Sequence, residues 1–317
     1  MNSESNQKFV DRYFCKNESQ ILLRLNNDKN NYDIFCIVEG PSDQHFYKNI
    51  SKYKDRLSKA DYIWTTNVND ENSIGKEAVI RSYFDVRKEP ELVDLLTKTL
   101  FIIDHDYYGL HSEKYDDLTM ESVKKNFTMT NVYSFENYFL LQNNIEIIFK
   151  TIGLSSDDCK RFINKLKTFI DEIREFNSLK STTVYVCKVD SVKVNIGRTK
   201  LYGFEDIFAY NFRENPFYNR NLLIKQTGYM HSVVSSNPIS FKVYLGEKKK
   251  YYSGINYGIS FTRGHDVYNF LISYLKQIHS VELDYRSNYE LYKKVVSSLD
   301  VDIEFKLGNE DVLKLTQ

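Results

Sequence analysis

The chain has 317 residues, 42% of them hydrophobic, with 25 Tyr and 21 Phe, and its 43 basic and 43 acidic side chains cancel to a formal net charge of zero. That much apolar material suffices for two modest domains or one large one and excludes a disordered chain. The charge balance counts against a scaffold that coats nucleic acid by bulk attraction, so any such contact must come from local basic patches or through a bound metal.

The first seven residues, Met1 to Gln7, lack a basic region followed by an apolar stretch, and no segment is apolar for long enough to cross a bilayer. Cys15, Cys36, Cys159 and Cys187 stand singly, without metal-ligand spacing, as free thiols of a reducing compartment do. The expectation is a cytoplasmic protein with no membrane association. The wealth of Asn, Lys, Tyr and Ile fits an AT-rich genome and argues for no tyrosine-based function.

Up to about residue 30 the chain reads as a polar start and a helical or mixed segment whose Ile21, Leu22, Leu23 and Leu25 form an apolar patch. The run Ile34 to Val38 is short, β-branched and aromatic, ends on Glu39 and breaks at Gly40-Pro41, which predicts a strand buried on both faces. Glu39 then stands at a carboxyl end, where open α/β sheets bind ligands. Ser42 can cap and Asp43 can favour a helix through about Tyr53. Ala60 to Thr66 is a second strand, and Gly75-Lys76 opens a helix with Ala78, Val79, Tyr83 and Phe84 on one side. Lys76 is a candidate for neutralising a substrate phosphate or a negative transition state, set against the ordinary role of a solvated surface charge.

A short helix from Glu91 to Lys98 leads into a strand, Leu100 to Ile103, that stops on Asp104-His105-Asp106. If extended geometry continues, the two aspartates face one way and His105 the other. Two carboxylates on one side repel unless a hard cation lies between them, so the spacing reads as a metal site; Asp-x-Asp alone is more often a loop that ends a strand, and the Glu39-Gly40 strand end upstream shifts the balance toward the metal. Asn131 to Ser134 is a further strand and Asn137 to Phe149 a helix, with Glu136 between them on the rim shared with Glu39 and the aspartates if all strands are parallel. Alone, Glu136 would be a helix-dipole partner or cap. Strands alternating with helices over residues 33 to 106 predict an α/β fold with a mainly parallel sheet.

From about 151 the pattern turns helical. Ser155 to Leu179 carries a stripe of Phe162, Ile163, Leu166, Phe169, Ile170 and Ile173. Residues 182 to 195 fit strand or helix, Gly203 to Pro216 and Tyr218 to Lys225 fit buried helices or connecting pieces, and the alternating Ile239, Phe241, Val243 and Leu245 predict a strand. The basic, aromatic Glu247 to Tyr252 can grip a nucleic-acid backbone or be a solvated loop. Arg263-Gly264-His265-Asp266 opens a helix to about Ile278, with Gly264 for a tight turn and His265 able to reach the rim and donate to a phosphate or transfer a proton. Residues 287 to 298 are one more helix. The expected domains are 1–150 and a mainly helical 151–317.

Val38-Glu39-Gly40-x-Ser42-Asp43-x-x-Phe46-Tyr47, Asp104-His105-Asp106, Ser134-Phe135-Glu136-Asn137-Tyr138 and Arg263-Gly264-His265-Asp266 together resemble the Toprim-domain nucleases of bacterial defence islands, the family that serves the PARIS anti-phage systems. The resemblance implies a Toprim-like sheet flanked by helices and a mainly helical C-terminal domain. It implies Mg²⁺ or Mn²⁺ on Glu39, Asp104, Asp106 and Glu136, with Lys76 and His265 as further catalytic candidates. It also implies a toxic effector that hydrolyses nucleic acid, with RNA and tRNA favoured over DNA, under the control of an ABC/SMC-like ATPase partner. A homo-oligomer is compatible with it. The alternative is a non-catalytic module docking on that ATPase; a nucleotide-binding protein is disfavoured because the sequence has no phosphate-binding Gly-x-x-x-x-Gly-Lys-Ser/Thr loop.

Overall fold

The computed structural model describes residues 14–15, 18–50, 53–65, 76–88, 90–105, 126–189, 207–303, 305–307 and 310–311. These residues fall into two compact units. The first takes the described residues through Asp104, residues 126–131 and those from Val301; the second takes His105 and residues 132–300.

The first unit is an α/β structure. Its strands β1 (Phe14–Cys15), β2 (Phe35–Ile37), β3 (Asp61–Thr65), β4 (Thr99–Ile103) and β5 (Phe127–Met129) form one sheet in the order β1-β3-β2-β4-β5, with every pairing parallel. Parallel neighbours need crossovers, and helices supply them. These are α1 (Glu18–Asp28) before β2, α2 (Pro41–Tyr47) and α3 (Lys54–Leu57) before β3, and α4 (Lys76–Lys88) with a 3-10 helix (Pro90–Lys98) before β4. Central β2 sets the register, with Phe35 opposite Asp61 and Thr99 and Ile37 opposite Ile63 and Phe101.

Alternation sends Phe35, Ile37, Ile63, Phe101 and Ile103 into one core with Ile21 and Leu25 of α1 and Val79, Tyr83 and Val86 of α4. Cys36, Tyr62, Leu100 and Ile102, out of phase with them, are buried as well. Both faces are therefore covered, and that is why the strands read as unbroken apolar runs. Each such side chain contributes about 1.5–3 kcal/mol on burial. Arg24 of α1 adds a directional tie: its Nη2 donates at 2.8 Å to both carboxylate oxygens of the buried Asp61.

The chain comes back to this unit at its far end. The Tyr53 hydroxyl donates to the Ile303 carbonyl at 2.5 Å, and the Phe305 ring meets Tyr47 and Tyr53 edge-on at 5.9 and 4.8 Å. Beyond it, β6 (Lys306–Leu307) and β7 (Glu310–Asp311) pair antiparallel. The boundary expected at residue 150 falls inside the second unit, because the helix that spans it, α5 (Gln142–Thr151), packs on the helices around it.

The second unit is helical in its described residues: a 3-10 helix (Phe135–Leu140), α5, α6 (Ser156–Val189), α7 (Arg220–Ser235), α8 (Pro238–Tyr251), α9 (Ile255–Phe261), α10 (Gly264–His279) and α11 (Tyr289–Val296). The first half of α6 is an apolar spine. Phe162 meets Phe149 and Tyr274 at 5.3 and 5.1 Å, and Phe169 stacks on Phe270 at 5.0 Å. Its second half buries polar groups, Asn177, Lys180, Ser181 and Thr183 among them.

Three expectations need correction, and a choice that the sequence left open is decided for part of its length. Residues 239–245 are helical, because Pro238 at the first turn and the Asn237 side chain, accepting from the Ile239 and Ser240 amides, nucleate α8. Residues 182–189 continue α6 as helix; 190–195 lie outside the described residues. The strand expected at 131–134 is instead β5, a few residues earlier, and the helix expected from 137 is split by Leu141 into a 3-10 helix and α5. Finally, α2 ends at Tyr47, and the residue that caps it is Gly40, with no side-chain cap from Ser42.

Candidate functional site

Glu39 and Asp104 meet because β2 and β4 are hydrogen-bonded neighbours: with Ile37 opposite Phe101, Glu39 comes level with Ile103, the last residue of β4. Two residues past β2, the Glu39 Oε1 accepts the Asp104 backbone N–H at 2.7 Å. This satisfies an amide that has run past the last strand pair. Lys76, the first residue of α4, reaches the same residue from the other side and donates its Nζ to the Asp104 carbonyl. The Nζ lies 4.0 Å from Glu39 Oε1, with only 9% of the lysine side chain and 20% of the glutamate side chain exposed. Both main-chain groups of Asp104 are thus gripped by charged side chains, which fixes where β4 stops and the loop begins. The Asp104 residue is itself 9% exposed.

Three residues picked out in the sequence, Glu39, Lys76 and Asp104, therefore come together. Asp106 lies outside the described residues. His105 turns to its own unit and sets its ring edge-on to Phe261 at 5.4 Å. Among the described residues no group of three or more His, Cys, Asp or Glu side chains is arranged to hold a metal ion. Glu39 and Asp104 nevertheless supply carboxylates, the oxygen donors that a hard divalent cation takes, on residues mostly withdrawn from water.

Glu136 and His265 belong to the second unit, and there the two motifs that contain them join. Ser134 caps the 3-10 helix: its N–H donates to Asn137 Oδ1 at 3.0 Å, and its hydroxyl donates to Glu136 Oε2 at 2.5 Å. The fully buried Asn137 sends its Nδ2 to the carbonyls of Ile259 at 2.6 Å and Thr262 at 2.9 Å. Gly264 closes the arrangement, because a Cβ there would stand 1.8 Å from Ser134 Oγ and 2.7 Å from Asn137 Oδ1. The glycine is required by this close approach rather than by a turn.

Asp266, on the first turn of α10, is buried between Arg263 Nη1 at 3.4 Å and Lys180 Nζ at 4.0 Å, and its carbonyl accepts the Tyr210 hydroxyl at 3.0 Å. Burial, with that carboxylate nearby, pushes the Tyr210 hydroxyl well above its ordinary range. Burial does the same to Tyr268, with Asp284 and Glu136 adding to it. His265 is exposed. Asn137, Lys180 and Asp266 tie this region together. For Asn137 the only sequence signal was its place in the Ser-Phe-Glu-Asn-Tyr stretch, and a lysine in mid-helix gives none.

Compared with protein-family models, with curated proteins and with solved structures, the chain matches none.

Proposed function

We propose that the chain is a metal-dependent endonuclease whose centre is Glu39 and Asp104 at the strand ends, with Asp106, two residues further along the chain, as the third carboxylate in this reading. The observation that supports this most is the convergence of Glu39, Asp104 and Lys76 at the ends of two adjacent parallel strands, where α/β proteins work. Glu39, Asp104 and Asp106 would hold Mg²⁺ or Mn²⁺. When bound, the ion polarises a phosphoryl oxygen and eases the ionisation of an attacking water.

The chain's own groups do the rest. Glu39 keeps the Asp104 main chain in place and carries the negative charge the site needs. Lys76 presents an ammonium, withdrawn from water, to a non-bridging phosphate oxygen, where a fixed positive charge is worth more than it is in solvent. Glu136 has its Oε2 engaged by Ser134, so in this reading it serves the second unit and is left out of the ligand set. His265 is given no step. The resemblance to defence-island Toprim nucleases supports RNA, tRNA in particular, as the substrate, and an ATPase partner that restrains the chain until phage infection.

One observation favours a second reading. Glu39 and Lys76 both bond to the main chain of Asp104, as structural residues do, so the cluster could simply fasten the end of β4 in a module that docks on its ATPase. Expression of the wild-type chain, Glu39→Gln and Asp104→Asn in bacteria, with and without the ATPase, separates the two. Growth arrest with fragmented RNA in the wild type alone, relieved by the ATPase, supports the nuclease. Equal toxicity of all three chains, with intact RNA and DNA, sinks it.

A further inference from the structure

Helix α8 is turned inside out. The face it lays on α6 carries Ser240, Tyr244, Glu247 and Tyr251, all buried, and Glu247 is held there by the Ser181 hydroxyl at 2.7 Å and by Lys250 at 2.7 Å. Two apolar side chains lie off that face: Phe241 and Leu245, at positions i and i+4, are 38% and 52% exposed, whereas Tyr252, which caps the helix, turns back to α6, its hydroxyl donating to Glu175 Oε2 at 3.4 Å and its ring lying 5.6 Å from the Arg174 guanidinium. At about 100° per residue Phe241 and Leu245 form one stripe, and Lys242 and Lys249, both exposed, form a second stripe beside it.

Gly246 is exposed in the same stretch. Among the described residues a Cβ placed there would meet nothing within 4 Å, so none of them calls for glycine in mid-helix, where it costs about 1 kcal/mol relative to alanine. Gly246 falls beside Lys242 and Lys249, on the side away from Leu245, and a bare backbone there lets another helix come close.

The charges decide what that helix is. Glu247 is the only acid between Pro238 and Tyr252, and it faces inward. The carboxylates that α6 brings nearby are already engaged: Glu175 with Lys248 at 3.0 Å, and Glu172 with Arg220 of α7 at 3.7 Å. The outward charges of α8 are therefore cationic. A second copy packed about a two-fold axis would set these lysines against their own kind. A nucleic acid would answer the lysines and leave Leu245 without an apolar partner.

We propose that the outer face of α8 is the docking surface for an acidic amphipathic helix of a partner protein. Leucine-like side chains of that helix lie along Phe241 and Leu245, its backbone approaches over Gly246, and its carboxylates meet Lys242 and Lys249. The proposal is independent of the nuclease reading.

The test is selection of a phage-displayed library of 16-residue peptides on the wild-type chain, with counter-selection on the folded F241E/L245E variant. The expected winners are net acidic, with apolar residues at i, i+3 or i+4 and i+7. A synthetic representative should bind wild type at least about tenfold more tightly than L245E, G246L or K242E/K249E, while circular dichroism shows all of them folded. Winners that are basic or neutral, or that bind the variants equally well, overturn the proposal. So does a dimer in sedimentation that L245E abolishes, which makes the occupant a second copy. Binding of a 20-nucleotide single-stranded RNA that K242E/K249E weakens and L245E leaves unchanged overturns it in favour of nucleic acid.

Discussion

At the ends of β2 and β4, charged side chains converge on one residue's main chain, whereas around Gly264 mostly neutral groups are locked by close packing and short hydrogen bonds. Both places looked functional in the sequence. The first keeps charge that its hydrogen bonds do not need: a neutral amide would hold the Asp104 N–H as well as the Glu39 carboxylate does. The second uses nearly every polar atom to join the Ser134–Asn137 cap to the start of α10. Surplus charge marks a place for chemistry, and full mutual satisfaction marks a place for architecture.

The largest effect expected is at the lock. Gly264→Ala forces a methyl group against Ser134 Oγ and should cost about 3 kcal/mol in urea unfolding. A loss below about 1 kcal/mol would mean that the approach is not tight. Next, Asn137→Ala strands the Ile259 and Thr262 carbonyls and should cost about 2–3 kcal/mol. Combined with Gly264→Ala, it should fall short of the sum of the two, since the residues share one contact.

At the strand ends the stability effects are smaller. Glu39→Gln keeps an oxygen for the Asp104 N–H and removes only the charge facing Lys76, a loss of about 1–2 kcal/mol. Adding Lys76→Met to that variant should cost less than Lys76→Met does in the wild type, and strict additivity in the double-mutant cycle would refute the pairing.

A pH effect sharpens the contrast. Burial, with Lys48 adding to it, holds the His45 pKa below its ordinary 6.5. The unfolded chain then binds the proton more readily, so the stability from neutral His45 is present above about pH 6.5 and is lost as the pH falls below it. The urea midpoint should drop less between pH 7 and pH 5 in His45→Gln than in wild type; parallel drops would count against it. The smallest change belongs to His265→Ala, an exposed site expected to stay within about 0.5 kcal/mol of wild type by the same measurement.

The strand ends were legible in the sequence because buried parallel strands leave apolar runs, and the runs at β2 and β4 stop on Glu39 and Asp104. Helix α10 was legible from its stripe. Helix α8 was not: with polar residues inside and Phe241 and Leu245 outside, its pattern imitates a strand's alternation. The lock stayed hidden because Asn137 finds its partners 122 and 125 residues away. The return of Ile303 to Tyr53, 250 residues away, was hidden for the same reason.

The most direct test of the central claim is cleavage of end-labelled tRNA by the purified chain in Mg²⁺ and in EDTA, comparing wild type with Glu39→Gln and Asp104→Asn. Wild type should cut only with the metal, and each substitution should slow cutting on the order of a hundredfold while the chain stays folded. Cutting at the wild-type rate by either variant, or cutting that EDTA leaves untouched, would contradict the account.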